Sequence, residues 1–412
     1  MEADGVPFPA GGNNMILHAA TYTSMLDISA KEPIMTAANP LKITVSPGDV
    51  VTWNNGADRC CFERINRNVP ISCYVVIDGT GGTLHIEGAI AGVDTIEVNC
   101  WMNQLHITNC SVYGENLAGN GGVGVGNGFG IVTDCDFQFD NVTFQAPQGM
   151  TVGLRDGGTS GPTGFIRNCA FTNWDTYAIQ FRARAKTFAV YDNTFTAAPN
   201  ADSVFRFRQT TNGASTLSLY GNTISGCGAG GWCGFFIHGL ASAGMVENVS
   251  IYNNLFYNNG TRTLFLGDEG ASANCQYNIY NNTMDGENTL TEPFINIQGE
   301  AASNYLIRNC IFYDCNDGAG AIQEAGGYAG TETINWNCWF SNALDVGAGL
   351  AKGANQVNGD PLFVNEGADD YHLQVGSPCI DAGFDLGQGD DIGRYQYIAP
   401  AAAFMTLNRG YW

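Results

Sequence analysis

Ile251-Tyr-Asn-Asn254-Leu-Phe256 is the stretch that decides the fold, because its pattern returns along the chain. It reads aliphatic, two residues, Asn or Cys, one residue, then a large apolar residue. Further copies run over 107–112, 132–137, 166–171, 190–195, 219–224, 279–284 and 307–312, with a looser one at 335–340. The fourth position of each copy falls at Cys110, Cys135, Cys169, Asn193, Asn222, Asn254, Asn282, Cys310 and Cys338. A repeat of roughly 20 to 50 residues fixes an architecture before any other signal does. Each copy is too short to bury its own apolar side chains, so copies must stack into a solenoid. Ile, Val, Phe, Tyr and Thr dominate, and they favour strands. No sustained helical period appears. The expected fold is therefore all-β: a parallel β-helix with one coil per copy, rising about 4.8 Å per coil. Right-handed winding is the rule for parallel crossovers. Stacked Asn side chains would hydrogen-bond to the coils above and below. Asn also accepts the left-handed backbone that a sharp corner needs. Cys in the same column would be a small buried filler.

The column changes how the 14 cysteines read. A disulfide framework would not follow a repeat so closely, so buried free thiols and a reducing folding compartment are expected. Cys60-Cys61 with Cys73 form the one local cluster, and no His or CxxC spacing makes it a zinc site. Charged residues are only 14% of the chain, and the net charge is −22. That charge argues against nucleic acid and anionic membranes as partners. It leaves glycans open, since a local patch can oppose the net charge. No run of apolar residues is long enough to insert in a bilayer. The start, Met1-Glu-Ala-Asp-Gly-Val-Pro, has neither the basic residues nor the apolar run of a signal peptide.

Four regions follow. Residues 1–70 lack the repeat; Ile43 to Trp53 alternates like a strand pair with a turn, and the region reads as a β-rich cap or attachment segment. Coils are expected over 71–342, beginning near Tyr74. Terminal coils and a cap fill 343–397, and an apolar tail closes the chain at 398–412.

The closing segment carries a family resemblance. Asp360-Pro-Leu-Phe-Val-Asn365, Asp370-Tyr-His-Leu-Gln374, Gly376-Ser-Pro-Cys-Ile-Asp-Ala-Gly383 and Asp391-Ile-Gly-Arg-Tyr-Gln-Tyr397 follow in order. This resembles the ending of right-handed parallel β-helix repeat proteins of the pectate-lyase-like superfamily. Cys379, Arg394 and Gln396 depart from that pattern, where the family has Ala, Ala and Glu. The resemblance spans about 74 to 397 and implies the fold. It does not imply one activity, because the superfamily holds lyases, hydrolases, epimerases, adhesins and virus-particle spikes. The closing motif is structural in the family and transfers no catalytic role. Asp385, Asp390 and Asp391 read as a solvated turn, with a calcium loop as the alternative; no other cofactor is indicated.

One polar constellation deserves weighing. In Ala178-Ile-Gln-Phe-Arg182 and Val204-Phe-Arg-Phe-Arg208, strand alternation sends Ile179, Phe181, Phe205 and Phe207 inward. Gln180, Arg182, Arg206 and Arg208 then face out. In later coils Phe236 and His238 face out, Asp268 and Glu269 follow at a strand end, Asn296 and Gln298 face out, and Glu324 comes next. Arginines clamp carboxylates bidentately, so Arg182 and Arg208 with Gln298 would hold an acidic glycan, and Phe236 and Phe265 would stack on a sugar face. A lyase needs a base and a charge neutraliser, roles open to His238 and Arg206. A hydrolase needs two carboxylates about 5 or 6.5–9.5 Å apart, for which Asp268 or Glu269 with Glu324 are the candidates. The plain alternative is a charge ladder that keeps the sheet soluble.

Three functional classes remain. The first is a virion-associated structural protein, a tail spike or capsid decoration made in the host cytoplasm, with a surface glycan or another virion protein as partner. A spike would be a homotrimer, although the tail after 398 is short for a trimerising domain. The second is an extracellular polysaccharide lyase or hydrolase. The third is an adhesin or self-assembling structural protein.

Overall fold

The computed structural model describes residues 14–23, 26–27, 38–54, 62–63, 74–87, 96–98, 104–113, 123–125, 136–146, 152–155, 163–174, 177–182, 187–198, 203–209, 213–227, 233–239, 245–260, 262–267, 275–287, 290, 292–298, 303–325, 330–386 and 390–397. They form a right-handed parallel β-solenoid. Each coil contributes strands to three faces. One coil runs Thr187–Tyr191 on the first face, Thr194–Ala198 on the second and Ser203–Gln209 on the third. The next repeats this with Gly213–Tyr220, Thr223–Cys227 and Cys233–Gly239. Pairing between coils is parallel on all three faces, and the third face alone is an 11-stranded sheet. Alternation fills the interior: Val190, Phe195, Phe205, Leu219, Ile224 and Phe235 are all fully buried. Phenylalanines also stack from coil to coil, as in Phe144–Phe171–Phe195 at 4.9 and 4.7 Å. Among the described residues, no helix is long and apolar enough to cross a membrane.

The Asn column forms the corner between the first two faces. Asn193 Nδ2 donates to Asn222 Oδ1, Asn222 Nδ2 to Asn254 Oδ1, and Asn254 Nδ2 to Asn282 Oδ1, each at 3.0 Å. The same oxygens accept backbone N–H groups of the preceding coil, as Asn254 Oδ1 does from Asn222 N. The ladder thus satisfies the polar backbone that bending exposes inside the corner. The left-handed residue is the one before the column: Asn109, Asn168, Asp192, Asn253, Asn281 and Asn309 all have φ near +50°. Gly221, φ +66°, takes that place in its coil, and a Cβ there would meet Asp192 Oδ1.

Two copies shift when aligned by pairing. Cys110 pairs with Val142, and Ile107 and Val112 with Phe139 and Phe144. The repeat after 107–112 is therefore Phe139-Asp-Asn-Val142-Thr-Phe144, not 132–137. At the far end, Cys310 N donates to Asn337 Oδ1 and Ile311 pairs with Cys338. Asn337 is the column member, and Cys338 falls one residue beyond it. Both errors have one cause: a corner tolerates any small or amide side chain, so the fourth position alone does not fix register. Cys110, Cys169 and Cys310 do occupy the column as buried free thiols.

The coils also begin earlier than Tyr74. Asn14–Leu17 pairs parallel with Leu41–Val45, which pairs with Tyr74–Asp78, while Val50–Asn54 pairs with Thr83–Glu87. Ile43 to Trp53 is thus part of a coil, its two strands on different faces. At the other end the last coil strand, Gln356–Asn358, pairs with Asn337–Trp339. The chain then forms an antiparallel pair, Phe363–Asn365 with Asp370–Leu373. Phe363, Tyr371, Leu373, Cys379 and Ile392 pack on Leu255, Ile311 and Cys338 as a second small core. From there the chain runs back along the corner as a strap. Asn309 exchanges hydrogen bonds with Phe384, and Gly393 N donates to Asn309 O. Arg394 reaches Asn222 O, Thr223 Oγ1 and Gly221 O at 2.7–3.0 Å. The arginine that departs from the family ending is the one that ties the strap to distant coils. The tail 398–412 lies outside the described residues.

Candidate functional site

The third face holds the polar constellation, in two adjacent files. The first runs Gly153, Gln180, Arg206, Phe236, Phe265, Asn296 and Gln323 in successive coils. Its side chains stack on their file neighbours, so outward does not mean wet. Gln180 is 2%, Phe236 8%, Phe265 9% and Asn296 6% exposed. Phe236 and Phe265 rest on each other at 4.7 Å and offer no open face to a sugar, contrary to the expectation from alternation. The Arg206 guanidinium lies over the rings of Tyr177 and Phe236 at 5.1 and 5.3 Å and donates to Tyr177 Oη. That packing commits the Arg206 guanidinium to two ring faces and a hydroxyl, a structural role.

The second file is cationic. Arg155, Arg182, Arg208 and His238 occupy one register position in four successive coils. They alternate with Leu154, Phe181, Phe207 and Ile237, of which the last three are fully buried. Sequence reasoning found three members and missed Arg155, although Val152-Gly-Leu-Arg155 carries the same alternation as Ile179-Gln-Phe-Arg182. Gly153 in place of a polar residue hid it.

The other candidates separate. Gln298 is half-buried and donates to Asn296 Oδ1 at 2.9 Å. Glu324 pairs with Ile297, while Gln298 pairs with Ala325. Glu324 therefore sits in the file of the core residues, at a strand end, and Gln323 continues the outer file. The one-residue offset breaks the expected succession. Asp268 and Glu269 lie outside the described residues, so the hydrolase pair has no described separation.

Two carboxylate clusters have metal-like spacing among the described residues. Asp381, Asp390 and Asp391 bring oxygens within 4.8 Å of one another, and Asp385 is not among them. Asp391 accepts Asp381 N at 2.8 Å and also Tyr397 N, so it ties a turn. The second cluster was not anticipated. Asp285 and Asp314, both buried, and half-buried Glu366 also lie within 4.8 Å. Tyr371 Oη donates to Asp285 Oδ2 at 2.8 Å, and Glu287 N donates to Oδ1 at 2.8 Å. Burial pushes the Asp285 carboxyl up to about 7, against those hydrogen bonds. Burial likewise raises Glu287, with Asp369 and Glu366 adding repulsion. Such oxygens suit a hard divalent cation or a shared proton. The residues are 29 or more apart in sequence, which is why no motif showed them.

Residues 127–292 match the family model described as right handed beta helix region. The A-module of the mannuronan C-5 epimerase AlgE6 of Azotobacter vinelandii superposes with a TM-score of 0.46 at 10% identity, covering 82% of this chain and 97% of that one. The pectate lyase Pel9A superposes with a TM-score of 0.42 at 12% identity, covering 94% of this chain and 97% of that one. No curated protein sequence matches the chain.

Proposed function

We propose that this right-handed parallel β-helix binds an acidic polysaccharide along its third face, parallel to the rod axis. The observation that carries the reading is the register of Arg155, Arg182, Arg208 and His238. Like charges on directly opposed positions of neighbouring strands are destabilising. Three successive arginine positions at about 4.8 Å spacing therefore favour anions held alongside them. They stand in a chain of net charge −22, so general basicity does not explain them. A polymer with one carboxylate per sugar supplies anions at regular intervals, and arginine holds each bidentately.

Titration calorimetry with an oligogalacturonate tests it. Binding that weakens as salt rises, and at least about tenfold in Arg182→Ala/Arg208→Ala, is the expected result. No binding to a panel of acidic polysaccharides, or equal binding by that variant, refutes it. The same mixtures followed by absorbance of unsaturated products test the lyase alternative, for which His238 is the remaining base. Product formation abolished by His238→Ala would replace binding by catalysis. We further propose display on a virus particle, as a tail spike or capsid decoration; sedimentation at three times the 43.9 kDa chain mass is the spike outcome, and a monomer removes the spike and leaves decoration.

A further inference from the structure

The outer side of the first face carries a tyrosine ladder with an arginine at each end. Tyr191, Tyr220, Tyr252 and Tyr280 stack from coil to coil at 4.6, 4.7 and 4.8 Å, with ring planes 6°, 5° and 2° apart. Arg167 precedes Tyr191 in the file, and Arg308 follows Tyr280. The two arginines are in different circumstances. Arg167 is neutralised from the next position outward: its Nη2 meets Asp140 Oδ2 at 2.6 Å, and its Nη1 donates to Tyr191 Oη at 3.2 Å. The corresponding position beyond Arg308 is Asn335, which brings no charge. Asn335 Oδ1 is already occupied by Asn355 N at 2.8 Å and Trp336 N at 3.1 Å.

Arg308 consequently has no carboxylate within ion-pair distance among the described residues, in a protein with 39 acidic side chains. Its Nε is buried without an acceptor. The guanidinium is held over the Phe384 ring at 5.0 Å, and Trp336 packs against the same ring at 5.0 Å. Phe384 is itself 41% exposed. A fixed, planar cation beside an open aromatic ring suits a ligand with an anionic group and an apolar ring face.

We propose that Arg308, Phe384 and Trp336 form a second site, for a single acidic sugar. Its carboxylate takes the place at Arg308 that Asp140 takes at Arg167, and its C–H face lies on Phe384. The site is on a different face from the cationic file and stands independently of it. The test is saturation-transfer NMR and calorimetry on the full chain with glucuronate, glucose and inorganic sulfate. Saturable glucuronate binding, absent for glucose, is expected. It should weaken at least about tenfold in Arg308→Gln and several-fold in Phe384→Ala, with Arg308→Lys between. The part of the binding that is lost in Arg308→Gln should persist in Arg182→Ala/Arg208→Ala, which separates it from the polysaccharide face. Melting curves confirm that each variant is folded, and Phe384→Ala, at an exposed position, keeps the test open if Arg308→Gln is not. Absent glucuronate binding in the wild type, or equal binding in Arg308→Gln, overturns the proposal. Sulfate binding as tight as glucuronate and indifferent to Phe384→Ala overturns it too, since the sugar ring would then contribute nothing.

Discussion

Replacing Asn254 with alanine should be among the most damaging polar substitutions in the chain. Asn254 is fully buried. Its Nδ2 donates to Leu219 O at 2.9 Å, Tyr252 O at 3.1 Å and Asn282 Oδ1 at 3.0 Å. Its Oδ1 accepts from Asn222 N and Nδ2, both at 3.0 Å. Not every partner is orphaned by the change. Asn222 Nδ2 keeps Val190 O, and Asn282 Oδ1 keeps Asn254 N. The backbone N–H of Asn222 keeps nothing, and a buried donor left alone costs about 1–3 kcal/mol. The other lost bonds contribute about 0.5–1.5 kcal/mol each, and not additively. A loss of about 3–4 kcal/mol is expected, at the upper end for single substitutions.

Asn254→Cys is the informative companion. Cysteine fills the same column at Cys310, whose Sγ lies 3.8 Å from Asn282 Nδ2. It should cost about half as much as alanine, because it fills the space and gives weak acceptor capacity. Thr216→Ala, exposed on the first face, should stay within about 0.5 kcal/mol. Urea unfolding measures all three, and hydrogen exchange over 213–313 detects a coil stack that opens locally before it melts. An alanine cost below about 1 kcal/mol, or a cysteine variant as unstable as alanine, would refute the ladder as a source of stability.

Other predictions follow from the strap and the acidic cluster. Arg394→Ala should lower stability by about 2–3 kcal/mol and raise amide exchange over 377–397, because charge-assisted bonds to Gly221, Asn222 and Thr223 are lost; unchanged exchange there would show the strap is held elsewhere. Asp285 is raised in the folded state to about 7 from 3.8, so its native form retains a proton that the unfolded chain releases. Its contribution is therefore full below about pH 4, is lost as pH climbs to about 7, and is flat above. Asp285→Asn should flatten that part of the profile, and a wild-type melting temperature that rises from pH 5 to 7 more in the wild type than in the variant would contradict it. If the cluster instead holds a divalent cation, millimolar calcium should raise the melting temperature at pH 8 and do nothing in Asp314→Asn.

How much of this was readable from sequence depends on how far apart the deciding residues lie. The corner column announces itself because each coil restates it, and a short local pattern is enough to imply parallel stacking. Register is another matter. Cys135 and Cys338 satisfy the pattern, yet Val142 and Asn337 occupy the corner, since that point accepts an amide, a thiol or a compact aliphatic side chain rather than one residue type. The same limit governs the site. Alternation along a strand tells which side of the sheet a residue faces, and it placed Phe236 and Phe265 outside correctly. It is silent on what lies one coil above and below, and there those rings cover each other. Contacts along the rod join residues about 30 positions apart, whereas contacts of the closing segment reach much farther along the chain, 75 positions for Asn309 with Phe384 and 111 for Arg394 with Thr283. The acidic group of Asp285, Asp314 and Glu366 belongs to this second kind, and so does the meeting of Arg308 with Phe384. A solenoid therefore hides chemistry in two directions that a linear motif does not sample: along the stack, where register must be known to within one residue, and across it, where the closing segment folds back. The cationic file became visible in full, with Arg155 added, only when the first of these was supplied by strand pairing.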